Sequence, residues 1–136
     1  MPNDSSETQV TIGAAPNEEE KLYSVLTNIT FGMVGILVLL RLIEPVKHSE
    51  FAYKNAIVSL INGIMTALLI GLWQGIFIAM ATIMGPQTVY DTYLIVMMVI
   101  LIGSFGICLY GSIVASKGKL PRYPWIVPIT QRFFKW

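Results

Sequence analysis

The sequence predicts an all-α fold: an integral membrane three-helix bundle with a disordered acidic N-terminal tail and a basic, aromatic C-terminal tail. Composition is the first reason, because 54% of the 136 residues are hydrophobic, 12% are charged and the mean hydropathy is +0.65. Such a chain is too apolar for an ordinary soluble domain. The other reasons are three long apolar runs and a one-sided distribution of positive charge between them.

Residues 1–21 form the acidic tail. They carry a net charge of −4 from Asp4, Glu7 and the run of three glutamates at 18–20, offset only by Lys21. A polar, charged segment of this kind buries too little apolar surface to fold alone, so we expect disorder. It lacks the basic start and cleavage site of a secretory signal, and the first span therefore serves as its own insertion signal.

Three spans are predicted at residues 22–40, 56–74 and 93–115, each long enough to cross a hydrocarbon core of about 30 Å. The second apolar run continues to residue 84, and its full length would need a tilt of roughly 46°, which exceeds the usual range. We place the outer interface at Trp73 and Gln74. Residues 75–84 then form an apolar extension that lies along the lipid, folds back on the bundle or is covered by a partner. The last two are favoured because the extension has no charged face.

Positive residues predict the orientation. The first loop carries Arg41, Lys47 and Lys54, the C-terminal segment 116–136 carries a net charge of +5, and the second loop has no Lys or Arg. The positive-inside rule therefore predicts a multi-pass protein of the cell membrane, with its N-terminus outside the cell and its C-terminus in the cytoplasm.

A small or polar residue recurs at every fourth position from Asn55 to Ala79. Helices in lipid associate through close backbone contact, so this row predicts a packing surface. A four-residue period winds around a helix of 3.6 residues per turn, so we expect residues 59–71 to pack on the third span and Gly75 and Ala79 to face a partner. The predicted packing residues are Ser59, Gly63, Ala67, Gly71, Gly75, Ala79, Gly103 and Gly111.

Two polar faces should point into the bundle. Interhelical hydrogen bonding is the favoured interpretation, and a substrate pathway is the alternative. No ionisable residue lies in the centre of a span, which argues against a self-contained pump. The faces consist of Ser24, Thr27 and Asn28 in the first span and Asn55, Ser59, Asn62 and Thr66 in the second.

No catalytic, cofactor or metal site is predicted, so we expect a protein that is not an enzyme. His48 and Glu44 could supply two metal ligands at most, beside Pro45. Cys108 lies in an apolar run that does not favour a reactive thiolate. No nucleophile with a base, phosphate-binding glycine loop or CxxC motif occurs.

The tail at 116–136 mixes cations with aromatic residues and three prolines, which exclude a single long helix. Positive charges beside a membrane favour anionic lipid over nucleic acid, and the same tail could also dock a subunit. The predicted membrane-surface residues are Lys117, Lys119, Arg122, Trp125, Arg132 and Lys135.

Two stretches resemble a group of small three-span membrane proteins that is distantly similar to the twenty-kilodalton import component of the chloroplast inner envelope. They are residues 51–57, FAYKNAI, and Ala115, Lys117 and Gly118 followed by Arg122, Tyr123, Pro124 and Arg132. The group's histidine in the first pattern is absent, and residues 125–128 resemble an insertion. The resemblance covers about residues 22–134 and implies a fold more than an activity.

These patterns favour a non-catalytic accessory or structural subunit of a larger membrane complex, such as a respiratory oxidoreductase or a membrane monooxygenase. Its partners would be other integral membrane subunits in a hetero-oligomer, with a homo-oligomer as a second option. The alternative is a component of a membrane transport or protein-import channel, with the polar faces lining the path.

Overall fold

Every regular element in the computed structural model, which describes residues 15–134, is helical, and the predicted all-α class is confirmed. The predicted disorder of residues 1–14, and the positions of Lys135 and Trp136, lie outside the described residues. The helices are α1 (Glu18–Ile29), α2 (Met33–Leu39), α3 (Glu50–Met84), α4 (Pro86–Ser116) and α5 (Val127–Phe134), with a 3-10 turn at Glu44–Val46.

Two of these helices, α3 and α4, are long and apolar enough to cross a membrane. Their most apolar 18-residue windows are only 28% and 17% buried. The core helix of a soluble protein would be mostly buried, so these exposed apolar surfaces favour a lipid environment.

The first helix begins inside the segment predicted to be disordered. Asn17 and Glu20 form a capping box, in which the Glu20 backbone N–H donates to Asn17 Oδ1 at 2.8 Å and the Asn17 backbone N–H donates to Glu20 Oε2 at 2.8 Å. The three glutamates of the first turn also lie at the positive end of the helix dipole. Residues 18–21 are therefore helical.

The predicted first span at 22–40 is not one helix. The chain turns at residues 30–32, where Phe31 has φ 54° and Gly32 has φ 86°. Both lie in the left-handed region that a continuing helix does not use. The predicted first span is therefore not formed as one continuous helix, because this turn separates α1 from α2 and reverses the chain.

Contacts along α3 show that α1 and α2 form an antiparallel hairpin. Ser59 Oγ donates to the Thr27 carbonyl, and one turn later Gly63 lies against the Phe31 carbonyl, so α1 runs parallel to α3. In α2 the order is reversed: Gly32 lies against Leu60, and a later residue, Gly35, lies against Ala56. Both ends of the hairpin therefore lie at the start of α3.

The same end of the molecule holds the end of α4. A Cβ at Gly118, just after α4, would lie 2.9 Å from Pro16 Cγ and 3.5 Å from Lys21 Cε. A first helix that crossed the whole bundle would place Pro16 and Gly118 at opposite ends. The hairpin instead places the starts of α1 and α3 and the ends of α2 and α4 together.

The apolar extension at 75–84 is a helical continuation of α3. It reaches Gly85, whose φ of 87° turns the chain, and Pro86 begins α4 at a position where a missing N–H costs nothing. Gln74 Nε2 donates to Tyr93 Oη at 2.6 Å, and the Phe77 and Tyr93 rings are 4.3 Å apart. The extension thus pairs with the first turns of α4.

After α4 the tail returns into the bundle. Tyr123 and Ile126 are 5% and 2% exposed and pack with Val58 of α3 and with Ile61 and Ile107. Ile107 lies nine residues before the end of α4, so this part of the tail reaches about 14 Å below that end.

Candidate functional site: a buried polar core

A polar core fills the part of the molecule where the α1–α2 hairpin packs on residues 50–63 of α3 and 104–116 of α4. We call this part the inner bundle. Each core side chain is at most 7% exposed, which confirms that both predicted polar faces point inward; Thr66, at the edge, is only half-buried. The core consists of Ser24, Thr27, Asn28, Asn55, Ser59, Asn62, Ser104 and Ser112.

One hydrogen bond of the core crosses between helices α1 and α3. Ser59 Oγ donates to the Thr27 carbonyl at 2.8 Å, and that carbonyl also accepts from the Gly32 N–H at 2.9 Å. Other core side chains bond within their own helix: Asn28 Nδ2 donates to the Ser24 carbonyl and Ser112 Oγ to the Cys108 carbonyl, both at 2.8 Å. The Ser59 bond fixes the register of α1 on α3.

Three oxygens in the polar core have no partner within the described chain: Ser24 Oγ, Thr27 Oγ1 and Asn55 Oδ1. Their residues are 1%, 0% and 0% exposed. The register places Asn55 level with the turn of α1 that precedes Thr27, so the three lie in adjacent turns. An unpaired buried oxygen costs about 1–3 kcal/mol, which favours a bound water or another neutral donor here.

The tail completes the polar core through Tyr123. Its Oη donates to the Ile107 carbonyl at 3.1 Å, and desolvation by burial raises the pKa of Tyr123 to about 12, so the phenol keeps its proton at neutral pH. A Cβ at Gly111 would lie 2.5 Å from both Tyr123 Oη and Asn28 Oδ1. Glycine at 111 therefore lets α1, α4 and the tail meet at one point.

The residues predicted for helix packing divide into two groups. Ser59, Gly63 and Gly111 lie in contacts, but their neighbours are α1, the turn at residues 30–32 and the tail. For Ser59 and Gly63 the predicted neighbour, the third span, is therefore wrong, although α3 as a whole does pack on α4. The other five are exposed: Ala67, Gly71, Gly75, Ala79 and Gly103. A Cβ added at any of the three glycines among them would meet no atom within 4 Å.

The predicted membrane-surface residues are exposed, apart from Lys135, which is outside the described residues. Trp125 is 42% exposed and stacks on Tyr123 with ring centroids 5.4 Å apart. The sequence reasoning missed Tyr123 and Ile126, which are buried. Their spacing with the buried Thr130, three and four residues apart, is a helical face that could have indicated this.

The polar core contains no Asp, Glu, Lys, Arg or His. Its side chains can therefore form hydrogen bonds, but none of them is an acid or base that exchanges a proton near neutral pH. His48 is exposed, and within residues 15–134 no three His, Cys, Asp or Glu side chains converge as metal ligands would. Cys108 is buried beside the core.

No family model, curated protein or solved structure matches this chain.

Proposed function

We propose that the protein is a non-catalytic, integral membrane accessory subunit of a larger membrane complex, and that its partner binds the distal tip of the α3–α4 hairpin. The distal tip comprises residues 75–90. The observation that carries the proposal is the exposure of its apolar side chains, which reaches 63% at Ile78, 84% at Ile83 and 57% at Met84.

The length of α3 supports placing this tip outside the hydrocarbon. Lys54 marks the inner boundary and Trp73 the outer one, and the 19 residue steps from one to the other make about 29 Å of helix, close to the usual core of about 30 Å. The exposed Asp91 in α4 fits the same outer level, since a carboxylate in hydrocarbon is costly.

Residues 75–90 then extend about 15 Å beyond the outer boundary. They contain no Asp, Glu, Lys or Arg. An apolar two-helix projection of this kind is unfavourable in water and is typical of a surface covered by another protein. Integral membrane partners are expected, because the tip is continuous with the lipid-facing surface of α3 and α4.

The proposed orientation differs from that expected for three spans. We place both the start of α1 and the C-terminal tail in the cytoplasm, with α3 and α4 as the two crossings and the hairpin of α1 and α2 embedded from the same side. The cations Arg41, Lys47 and Lys54 and the basic tail then remain cytoplasmic, as the positive-inside rule requires. Acidic residues contribute little to that rule, so the N-terminal glutamates do not oppose it.

The proposal is tested by cross-linking mass spectrometry in native membranes, followed by purification of the full chain in mild detergent. The double variant Ile78→Ala with Ile83→Ala should lose the co-purifying subunit. Leu68→Ala with Leu72→Ala is the matched control, because these α3 side chains are 64% and 62% exposed but lie in the lipid zone. A wild-type chain that purifies only as a monomer, or equal losses in both variants, would remove the proposal.

A transport component is the second candidate, and the three unpaired oxygens of the polar core favour it. Ser24 Oγ, Thr27 Oγ1 and Asn55 Oδ1 could line part of a path for a polar solute in an oligomer. Purified protein reconstituted into liposomes should then pass an ion or a peptide, and Asn55→Leu should reduce the flux. Oligomers that pass neither would contradict this candidate.

A further inference from the structure

A groove runs along α4 on a face separate from the polar core. Its floor is Gly103, Gly106, Ile107 and Tyr110, and Arg122 and Trp125 of the tail form one wall of this open space of about 410 Å³. A second space of about 500 Å³ shares Tyr110 and Arg122 with it and reaches Val114 and Lys119. We call the two together the leaflet groove.

The floor of the leaflet groove is open because two of its residues are glycines. A Cβ at Gly103 or at Gly106 would meet no atom within 4 Å. The wall is held in place, since Trp125 stacks on Tyr123 and Tyr123 donates to the Ile107 carbonyl. The groove is thus a shallow, open depression along α4, with the tail as one wall.

The dimensions of the leaflet groove match one half of a bilayer. Gly103 and Val114 are eleven residues apart in one helix, which is about 17 Å. Half of a hydrocarbon core is about 15 Å. An acyl chain lying on this floor would therefore run from the inner interface to the middle of the membrane.

Two cations, Arg122 and Lys119, line the second space, which reaches Val114 near the end of α4. Arg122 and Lys119 are exposed, and the ion pairs among the described residues involve other lysines, namely Lys21, Lys47 and Lys54. A guanidinium and an ammonium without carboxylate partners in the described part of the chain suit a phosphate group.

We propose that the leaflet groove binds one anionic glycerophospholipid of the inner leaflet, with its phosphate on Arg122 and Lys119 and one acyl chain along Gly103, Gly106 and Tyr110. This goes beyond a diffuse attraction of the basic tail to the membrane, because it assigns one lipid to one place. It does not depend on the proposed subunit role, since a chain without a partner protein would still carry the groove.

Native mass spectrometry of the full chain in detergent, titrated with phosphatidylglycerol and with phosphatidylcholine, tests the proposal. Two cations near a membrane surface should give phosphatidylglycerol a preference of about 30-fold. Arg122→Gln should reduce its binding by about 5-fold. Arg132→Gln, an exposed cation of the same tail outside the groove, should leave it unchanged.

The groove floor is tested by Gly106→Leu, which should weaken both lipids while thermal unfolding shows a folded chain. Inorganic phosphate at millimolar concentration should not displace phosphatidylglycerol. Equal binding of the two lipids, equal effects of Arg122→Gln and Arg132→Gln, unchanged binding in Gly106→Leu, or full displacement by phosphate would each overturn the lipid site. The last result would leave only an anion site.

Discussion

The inner and outer parts of α3 belong to one helix but have opposite surroundings. From residue 50 to 63 seven residues are buried, whereas from residue 64 through the turn to 103 Val89 alone is buried. The inner part packs on the α1–α2 hairpin, the tail and α4, while the outer part has α4 as its neighbour. A row of small residues therefore marks where packing is sterically allowed, and a neighbour must be present for packing to occur.

The two parts also differ in what the small row contains. Its inner members include Asn55 and Ser59, which can hydrogen bond, whereas its outer members are Ala67, Gly71, Gly75 and Ala79. Asn55 and Ser59 are buried, and the four outer members are exposed. In lipid, a polar side chain gains more from an intramolecular neighbour than an alanine or glycine does.

The largest effect is expected from a matched pair of glycine substitutions in α3. Gly63→Val should destabilise the protein by about 3 kcal/mol, because its Cβ collides with the Phe31 carbonyl, a backbone atom that cannot move aside cheaply. Gly71→Val should change stability by less than about 0.5 kcal/mol, since no atom lies near. Unfolding by titration with sodium dodecyl sulfate measures both.

Similar losses for Gly63→Val and Gly71→Val would show that the outer part of α3 is packed as tightly as the inner part. That outcome would contradict the division of the helix described above.

A smaller effect is expected where the tail joins the inner bundle. Tyr123→Phe removes the hydrogen bond to the Ile107 carbonyl and should cost about 1 kcal/mol, with the ring still packed on Trp125. Thermal unfolding in detergent measures this, and tryptophan fluorescence should keep its native wavelength. No loss of stability would mean that this hydrogen bond makes no net contribution to holding the tail in the inner bundle.

The interhelical bond of the polar core should contribute less. Ser59→Ala removes its bond to the Thr27 carbonyl and should cost about 0.6 kcal/mol, the average for such bonds in membranes, because the carbonyl keeps its bond from Gly32. Thr82→Ala is the control, since Thr82 bonds to the Ile78 carbonyl in its own exposed turn. A larger cost for Thr82→Ala would place the stronger packing at the distal tip.

The smallest effect on stability is expected at Ala67. The sequence pattern placed Ala67 inside the bundle, but it is exposed. Ala67→Leu should therefore change the free energy of unfolding by less than about 0.5 kcal/mol. A cost above about 1 kcal/mol would indicate that a further surface covers the middle of α3.

The helical class and the buried polar faces could be predicted from the sequence because both follow from periodicity. Ser24, Thr27 and Asn28 recur at helical spacing, as do Asn55, Ser59 and Asn62, and lipid cannot hydrogen bond to them. Their burial can be predicted without knowing which helix packs against them.

The turn between α1 and α2 could not be predicted in this way. Gly32 is one glycine in an apolar run, and single glycines are common in membrane helices that do not break. What makes the turn stable is the approach of Gly32 to the backbone of Leu60, a contact between residues distant in sequence. The depth of Tyr123 likewise depends on Gly111 and Asn28, which the local sequence of the tail does not reveal.

The turn at residues 30–32 also bears on how the chain enters the membrane during synthesis. In the orientation proposed above, the α1–α2 hairpin begins and ends at one end of the molecule, so its insertion carries neither of its ends through the bilayer. The connection that must cross is the one at Gly85 and Pro86, which carries no charge and is flanked by apolar helix. In that orientation a membrane insertase would translocate a single short, neutral turn, and the start of α1 and the basic tail would both stay on the side where the ribosome delivers them.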